Sequence, residues 1–227
     1  MTSSISSTPS TTLTTAPLAP LLTRLFAQAE AATSPAAAAI PRAERERLMR
    51  SKTEYLQFYG QLKDLWLPVS PQTGRLLYLL ARHAGARNVV EFGTSFGLST
   101  LHLAAALRDN GGGLLITTEF EPSKVAQARA HVAEAGLSDL VDFRAGDALQ
   151  TLRDGLPASI DLLLLDGAKS LYDDVLDLVE PRLRPGAIVI ADNVDYSPDY
   201  LTRIRSADGG YLSLPFGEDV EVSLRVG

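Results

Sequence analysis

Acidic residues stand at or just beyond the ends of five short apolar runs in the second half of the sequence. They are Glu91, Glu119, Asp147, Asp166 and Asp192. If the runs are neighbouring strands of one sheet, the five carboxylates meet at a single edge. Carboxylates held together repel each other unless they share a cationic group. The spacing therefore predicts a ligand site at that edge, with a positive charge among its occupants.

A glycine-containing loop follows the first of these runs. Residues 90–100 read V-E-F-G-T-S-F-G-L-S-T, which is typical of a strand, a tight loop and the start of a helix. Glycines at 93 and 97 allow the backbone to approach a ligand closely, and the free N–H groups of the helix can bind a carboxylate or a phosphate. The spacing G-x-x-x-G differs from the G-x-G-x-x-G of dinucleotide-binding loops, and no G-K-[ST] phosphate loop is present. A tight turn without a ligand is the alternative.

Two of the acidic residues have positions suited to a nucleoside. Glu119 ends the second run, where a carboxylate can accept hydrogen bonds from both hydroxyls of a ribose. Nicotinamide and adenosyl cofactors share that ribose, so Glu119 does not distinguish them, and a solvated acid before a helix is the alternative. Asp147 suits the amino group of an adenine, or it caps the helix that follows.

Composition excludes several classes of protein. The 227 residues include no cysteine and three histidines, which excludes disulfides, iron–sulfur clusters, thiolate zinc sites and cysteine nucleophiles. No histidine has a partner at the spacing of a zinc site or a Ser–His–Asp triad. A net charge of −6 gives no global attraction to nucleic acid or an anionic membrane, and no apolar run approaches the roughly 20 residues of a membrane helix. We expect a cytoplasmic protein with neither a nucleic-acid nor a membrane partner.

The chain divides into three segments. Residues 1–16 are rich in Ser and Thr and lack charge, which predicts a disordered tail. Residues 17–84 show helical periodicity over 18–33, 43–65 and 71–84, which predicts a helical cap belonging to the same domain. Residues 85–227 form the predicted cofactor-binding, catalytic domain.

Short apolar runs alternate with helical stretches across that third segment. The predicted strands are 88–92, 114–119, 141–145, 160–166 and 187–192, and the predicted helices are 98–109, 122–136, 147–153, 170–183 and 198–206. This alternation predicts an α/β fold, a parallel sheet with helices on both faces. Two last runs, separated by residues 216–219, predict an antiparallel hairpin. Ligands of such sheets bind at the carboxyl ends of the strands, where the acidic residues stand.

The motifs, taken in order, resemble those of the small S-adenosylmethionine-dependent O-methyltransferases, which include the catechol and caffeoyl-CoA O-methyltransferases. They are E-F-G-T-S-x-G-x-S at 91–99, the acid at 119, G-D-A at 146–148, D-G-x-K at 166–169 and A-D-N-V at 191–194. The resemblance covers the chain from about Leu67 onward. It implies a Rossmann-like class I methyltransferase fold, whose seven-stranded, mostly parallel sheet ends in an antiparallel strand.

The resemblance also implies which residues contact S-adenosylmethionine. Glu91 would face the methionine amino group, Ser99 would bind the methionine carboxylate, and Glu119 would hold the ribose. The full implied set is Val69, Glu91, Gly93, Thr94, Ser95, Ser99, Glu119, Asp147, Ala148 and Asp166.

The same resemblance implies a metal site and catalytic residues. Asp166, Asp192 and Asn193 match the family's divalent-metal ligands, and their oxygens suit Mg²⁺ completed by water and substrate oxygens. Asp166 and Lys169 match its catalytic residues. The metal would lower the pKa of the attacking hydroxyl, and Lys169 would take up or orient the proton.

The implied acceptor is a small aromatic vicinal diol, similar to catechol. Trp66 and Tyr172 are candidates for the walls of its pocket, and family likeness implies a homodimer. Three alternatives stay open: a methyltransferase that needs no metal or acts on nitrogen or carbon, a nicotinamide-dependent dehydrogenase, and a cofactor-binding protein without catalysis.

Overall fold

The computed structural model describes residues 10–227, which form ten α-helices and seven β-strands. The helices are α1 Leu18–Ala31, α2 Pro35–Ala39, α3 Arg42–Met49, α4 Tyr55–Gln61, α5 Pro71–His83, α6 Leu98–Asp109, α7 Pro122–Glu134, α8 Ala148–Thr151, α9 Tyr172–Val179 and α10 Pro198–Ile204. The strands are β1 Asn88–Phe92, β2 Leu114–Glu119, β3 Val141–Ala145, β4 Ile160–Leu165, β5 Leu183–Ala191, β6 Tyr211–Phe216 and β7 Val220–Arg225.

All seven strands form one sheet in the order β3-β2-β1-β4-β5-β7-β6. Strands β1 to β5 pair in parallel, whereas β7 runs antiparallel to both β5 and β6. The predicted α/β fold and its antiparallel last strand are therefore confirmed. The strand order reverses between β1 and β4, and a reversal of this kind opens a crevice at the carboxyl ends of the strands.

The sheet is covered on both faces because its central strands are apolar on both sides. Leu162 and Leu164 of β4 pack with α1, α5, α6 and α7 on one face. Leu163 and Leu165 of the same strand pack with α8, α9 and α10 on the other face. A third, smaller apolar cluster, built on Ala37, Phe58 and Leu62, belongs to the segment α2 to α4.

The predicted helix over 43–65 is wrong, because the chain breaks it into α3 and α4. The Oγ atom of Ser51 accepts hydrogen bonds from the backbone N–H of Glu54 at 3.1 Å and of Thr53 at 3.4 Å. A serine that bonds its own backbone in this way competes with the helix and ends it. The predicted helix over 170–183 is also too long. It ends at Val179, and Pro181 lies in the short 3₁₀ turn that follows, since proline cannot donate the helical hydrogen bond.

The predicted disordered tail lies outside the described residues over 1–9 and is wrong for residues 10–16. Thr12–Thr14 form a 3₁₀ turn. The backbone N–H of Thr12 donates to Asp109 at 3.0 Å, and the hydroxyl of Tyr78 donates to the same carboxylate at 2.6 Å. Side-chain partners elsewhere in the fold thus order a segment whose own composition predicts disorder. Among residues 10–227, no helix has the length and apolar character needed to cross a bilayer.

Candidate active site

A cavity of about 440 Å³ lies between the cap segment and the carboxyl ends of the strands. A narrow cleft adjoins it beside the β1–α6 loop. The predicted site residues that line these two spaces are Val69, Gly93, Thr94, Ser95, Ser99, Glu119, Asp147, Ala148, Asp166, Lys169, Asp192 and Asn193. Glu91 is buried beneath them. The structure therefore brings the predicted residues together at one edge of the sheet.

The β1–α6 loop contains three residues with positive φ, Gly93, Ser95 and Gly97. Gly93 has φ +102°, and a Cβ atom there would lie 2.5 Å from the backbone oxygen of Asp166. The approach of β4 to this loop thus requires glycine, whatever the loop binds. Ser95 has φ 47°, and its backbone N–H donates to Oε2 of Glu119 at 2.9 Å. Its Oγ atom is buried and has no hydrogen-bond partner in the part of the chain that the structure describes.

Glu91 is a fully buried carboxyl group with one satisfied and one unsatisfied oxygen. Its Oε2 accepts hydrogen bonds from the hydroxyls of Thr100 and Thr117, both at 2.6 Å. Within residues 10–227, Oε1 has no partner. Burial raises the pKa of Glu91 to about 7, although the hydroxyls of Ser99, Thr100 and Thr117 act to lower it. A buried carboxyl with a spare oxygen fits a cationic amino group, as the resemblance implies for S-adenosylmethionine.

Thr94 directs its side chain into the sheet. Its hydroxyl shares a hydrogen bond with that of Thr117 and donates to the backbone oxygen of Thr118 at 3.0 Å. These bonds fix the loop against β2, so the side chain of Thr94 is engaged by the sheet.

The carboxylates implied to hold the nucleoside are both hydrogen-bonded to backbone. Glu119 accepts from the N–H groups of Ser95 and Glu121, and burial raises its pKa. Asp147 caps α8 by accepting from Leu149 N–H at 3.0 Å, so the capping alternative holds for one of its oxygens. Its other oxygen accepts from the hydroxyl of Tyr55 at 2.9 Å. Helix α4 of the cap thus contacts the end of the site where an adenine would lie.

The opposite end of the cavity is built around Lys169. Its Nζ atom lies 2.7 Å from Oδ1 of Asp166 and 5.5 Å from the ring centre of Tyr172. Burial alone lowers the pKa of Lys169, but the charge of Asp166 outweighs it and holds that pKa well above its ordinary value. Lys169 is therefore an ammonium in this arrangement. Tyr172 is fully buried and donates a hydrogen bond to the backbone oxygen of Asp192 at 2.6 Å. It packs beneath the site and is not part of the cavity wall, whereas Trp66 lines the cavity.

The predicted metal ligands lie beside this ion pair. Burial, and next the charge of Asp166, raise the pKa of Asp192 to about 7. Asn193 has left-handed backbone with φ 50°, and its amide donates to Asp219 at 2.6 Å, which leaves the amide oxygen for another partner. Two carboxylates and an amide oxygen fit a hard divalent cation. Over residues 10–227, no group of three or more His, Cys, Asp or Glu is placed to hold a metal. A cation at this place would therefore need the amide oxygen of Asn193 as a third ligand.

Several residues of the site were missed from the sequence. Tyr55, Tyr59 and Lys124 line the cavity, and Asp219 in the β6–β7 turn holds Asn193. The two tyrosines stand four residues apart on one helix, and that spacing is equally typical of core packing. Asp219 could have been identified from the sequence, because it is an acidic residue in the turn of the last hairpin, and that turn returns to the site.

The chain is similar in sequence and fold to known methyltransferases. Residues 90–194 match the family described as a methyltransferase domain. Over 132 residues the chain is 36% identical to the catechol O-methyltransferase of Niastella koreensis, a match that covers 56% of this chain and 58% of that relative. The chain thus aligns with less than two thirds of the relative's length.

Two solved structures share the fold. One is the O-methyltransferase from Bacillus cereus in complex with S-adenosylhomocysteine, with TM-score 0.65, 26% identity and coverage of 85% of this chain and 94% of that chain. The other is the O-methyltransferase TomG from Streptomyces achromogenes, involved in tomaymycin synthesis and in complex with S-adenosylmethionine. It has TM-score 0.63, 28% identity and the same coverage of 85% and 94%.

The sheet order and the glycine loop at its carboxyl edge are those of a Rossmann-like methyltransferase fold, and residues 90–194 match the model of a methyltransferase domain. The predicted resemblance to the S-adenosylmethionine-dependent O-methyltransferases is confirmed by these relatives.

Proposed function

We propose that this protein transfers the methyl group of S-adenosylmethionine to a hydroxyl of a small aromatic vicinal diol, with a divalent cation such as Mg²⁺. One observation carries the proposal. Asp166, Lys169, Asp192 and Asn193 meet in one cavity with the glycine loop and Glu119. The residues suited to the cofactor and the residues suited to an acceptor hydroxyl thus line one cavity, where both ligands can bind side by side.

The cofactor part of the proposal rests on carboxyl and hydroxyl groups of the site. Glu91 offers a buried carboxyl oxygen to the methionine ammonium, and Ser99 in the first turn of α6 offers a hydroxyl to the methionine carboxylate. Glu119 faces the ribose, and Asp147 with Ala148 the adenine. The cofactor's sulfonium would then lie near Gly93 and Asp166, at the reacting end.

The acceptor half has apolar and aromatic walls. Side chains of Phe58, Leu62 and Trp66 line the cavity, and the small Ala168 leaves room beside Lys169. Flat apolar walls with a polar end suit an aromatic ring that carries its hydroxyls on one edge.

The reaction is a direct displacement in which positioning supplies most of the rate. The acceptor oxygen bonds to the methyl carbon as the carbon–sulfur bond breaks, and that electron pair stays on sulfur to give S-adenosylhomocysteine. Asp166, Asp192 and Asn193 would hold the divalent cation, which would supply Lewis acidity when bound. The hydroxyl proton is released to solvent. Lys169 is an ammonium here, so it orients the attacking oxygen by a charged hydrogen bond.

Labelled methyl transfer to a panel of catechols and hydroxycinnamates, with Mg²⁺ and in parallel with EDTA, tests the proposal. We expect product with Mg²⁺ and a loss of at least 100-fold with EDTA or in Asp192→Asn. The matched variant Asp199→Asn removes an exposed carboxylate of α10 and should keep its activity. EDTA-resistant turnover in both wild type and Asp192→Asn would assign Asp192 a structural role and favour the metal-independent alternative.

Two further parts of the proposal have different grounds. The homodimer, tested by sedimentation equilibrium, rests on family likeness, and the cytoplasmic location rests on a composition without cysteine. The dehydrogenase alternative predicts binding of NADH without binding of S-adenosylhomocysteine, and the non-catalytic alternative predicts cofactor binding without turnover on any acceptor.

A further inference from the structure

Tyr59 of helix α4 carries a hydroxyl group that is buried without a hydrogen bond. Its Oη atom has no partner in the described part of the chain, and the side chain lines the cavity of about 440 Å³ described above. A buried hydroxyl without a hydrogen bond destabilises the folded protein. A group left in that state beside a cavity points to a ligand that satisfies it.

The surroundings of Tyr59 identify the part of the ligand that it meets. The charges of Lys169 and Asp166 both act on its hydroxyl, and the backbone N–H of Lys169 lies close to it without hydrogen-bond geometry. On the other side the ring packs edge-on against Phe58, with 5.0 Å between ring centres. The hydroxyl is therefore held at the reacting end of the cavity, beside the residues that handle the acceptor oxygens.

Tyr55, one helical turn earlier on α4, provides an internal comparison. Its hydroxyl donates to Asp147 at 2.9 Å, at the nucleoside end. Residues four apart on a helix lie on the same face, so α4 places one phenol over each end of the cavity. The hydroxyl of Tyr55, at the nucleoside end, has a protein partner. The hydroxyl of Tyr59, at the reacting end, has no partner among the described residues.

We propose that the hydroxyl of Tyr59 donates a hydrogen bond to an oxygen of the acceptor and so helps to select a vicinal diol and to fix which of its two hydroxyls is methylated. This inference rests on the proposed function. Burial raises the pKa of Tyr59, against the charge of Lys169, so the phenol keeps its proton at neutral pH. Its proton is free to be donated, because the nearby N–H and ammonium of Lys169 are themselves donors and can bond only to its oxygen.

Binding of 4-nitrocatechol, with S-adenosylhomocysteine and Mg²⁺ present, tests the inference without turnover. Trp66 is the only tryptophan and lines the cavity, so its fluorescence reports the titration. We expect Tyr59→Phe to weaken nitrocatechol binding about 3- to 10-fold, the equivalent of one lost hydrogen bond. Its free energy of unfolding should be equal to that of wild type or higher, because the deleted hydroxyl has no partner to lose. Tyr200→Phe is the matched control, because the hydroxyl of Tyr200 is also buried without a partner among the described residues but does not line the cavity. It should leave the nitrocatechol Kd unchanged.

A second readout is the ratio of the two monomethyl products of 3,4-dihydroxybenzoate. We expect that ratio to shift in Tyr59→Phe and to remain at the wild-type value in Tyr200→Phe. Wild-type nitrocatechol affinity together with a wild-type product ratio in Tyr59→Phe would overturn the role of Tyr59 and leave the proposed function intact. Failure of the wild-type protein to bind nitrocatechol at all would overturn the diol acceptor itself, and this inference with it.

Discussion

Replacing Glu91 with glutamine should make the ligand-free protein more stable and bind its cofactor less well. Glu91 is fully buried, with one oxygen unpaired. At pH 8 the carboxyl is charged, and no cation in the described chain is paired with it. The amide keeps the shape and can still accept from Thr100 and Thr117, whose hydroxyls donate at 2.6 Å. Removing the charge therefore removes the burial penalty.

The magnitude follows from the pKa. Burial raises the pKa of Glu91 from 4.5 to about 7, and one pH unit corresponds to about 1.4 kcal/mol. Because the folded-state pKa lies above the unfolded one, the folded protein holds the proton to higher pH. The free energy of unfolding therefore falls as pH rises from about 4.5 to about 7 and stays at the lower value above that range. The burial of Glu91 accounts for about 3 kcal/mol of this fall. Glu91→Gln should be about 3 kcal/mol more stable than wild type at pH 8 and close to it at pH 4.5.

Urea denaturation of both proteins at pH 4.5, 6 and 8, without ligand, measures this difference. Subtracting the two curves removes pH dependence from other groups, such as Asp192. Asp208→Asn, an exposed carboxylate in the turn after α10, controls for the loss of surface charge and should change stability by less than about 0.5 kcal/mol.

Calorimetry with S-adenosylhomocysteine supplies the second arm. Loss of a charged hydrogen bond of about 1.5–3 kcal/mol should raise the Kd in Glu91→Gln by roughly 10- to 150-fold at pH 8. Lower stability than wild type at pH 8 would refute the burial argument. Unchanged affinity would refute the assignment of Glu91 to the methionine ammonium.

The remaining predictions concern stability and use denaturation midpoints. Arg205→Ala leaves the buried Glu221 without the two bonds of 2.8 and 2.6 Å that Arg205 donates, and should cost about 2–4 kcal/mol at pH 7. Since the pKa of Glu221 is lowered in the folded state despite its burial, that cost should shrink as pH falls below about 4.5, and a cost independent of pH would contradict the argument. Gly93→Ala should cost at least about 3 kcal/mol, because its Cβ would lie 2.5 Å from the backbone of Asp166 at a positive φ. Gly60→Ala, in α4 with nothing within 4 Å of its Cβ, should instead stabilise by about 0.5–1 kcal/mol, and equal effects of the two alanines would contradict the contact.

The sheet and the edge of the site were predictable because each rests on a local pattern. The predicted strands 88–92, 114–119 and 141–145 agree with the structure to the residue. The first two are apolar runs bounded by polar turns and are mostly buried, whereas the third is an edge strand and has no fully buried residue. Acidic residues at the ends of those runs then had to meet, because parallel strands end at one edge.

The cap was less predictable, because its structure depends on contacts that no local pattern contains. Ser51 interrupts a periodic helix by accepting a hydrogen bond from the backbone N–H of Glu54, and Asp109 orders a polar segment from nearly 100 residues away. The roles of Tyr55 and Tyr59 depend on what lies opposite α4 in the fold. Their spacing alone fits core packing equally well.

The pairing of β1 with β4 has a consequence for how the site comes into being. Phe92 pairs with Leu165, so the loop at Gly93 meets Asp166 only after a long stretch of chain has closed on itself, at the entropic cost of a distant contact. Glu91 lies in β1, whereas Asp166 and Asp192 follow β4 and β5. The mutual repulsion of these carboxyl groups therefore arises only as the strands pair, when the apolar side chains of the sheet are buried as well.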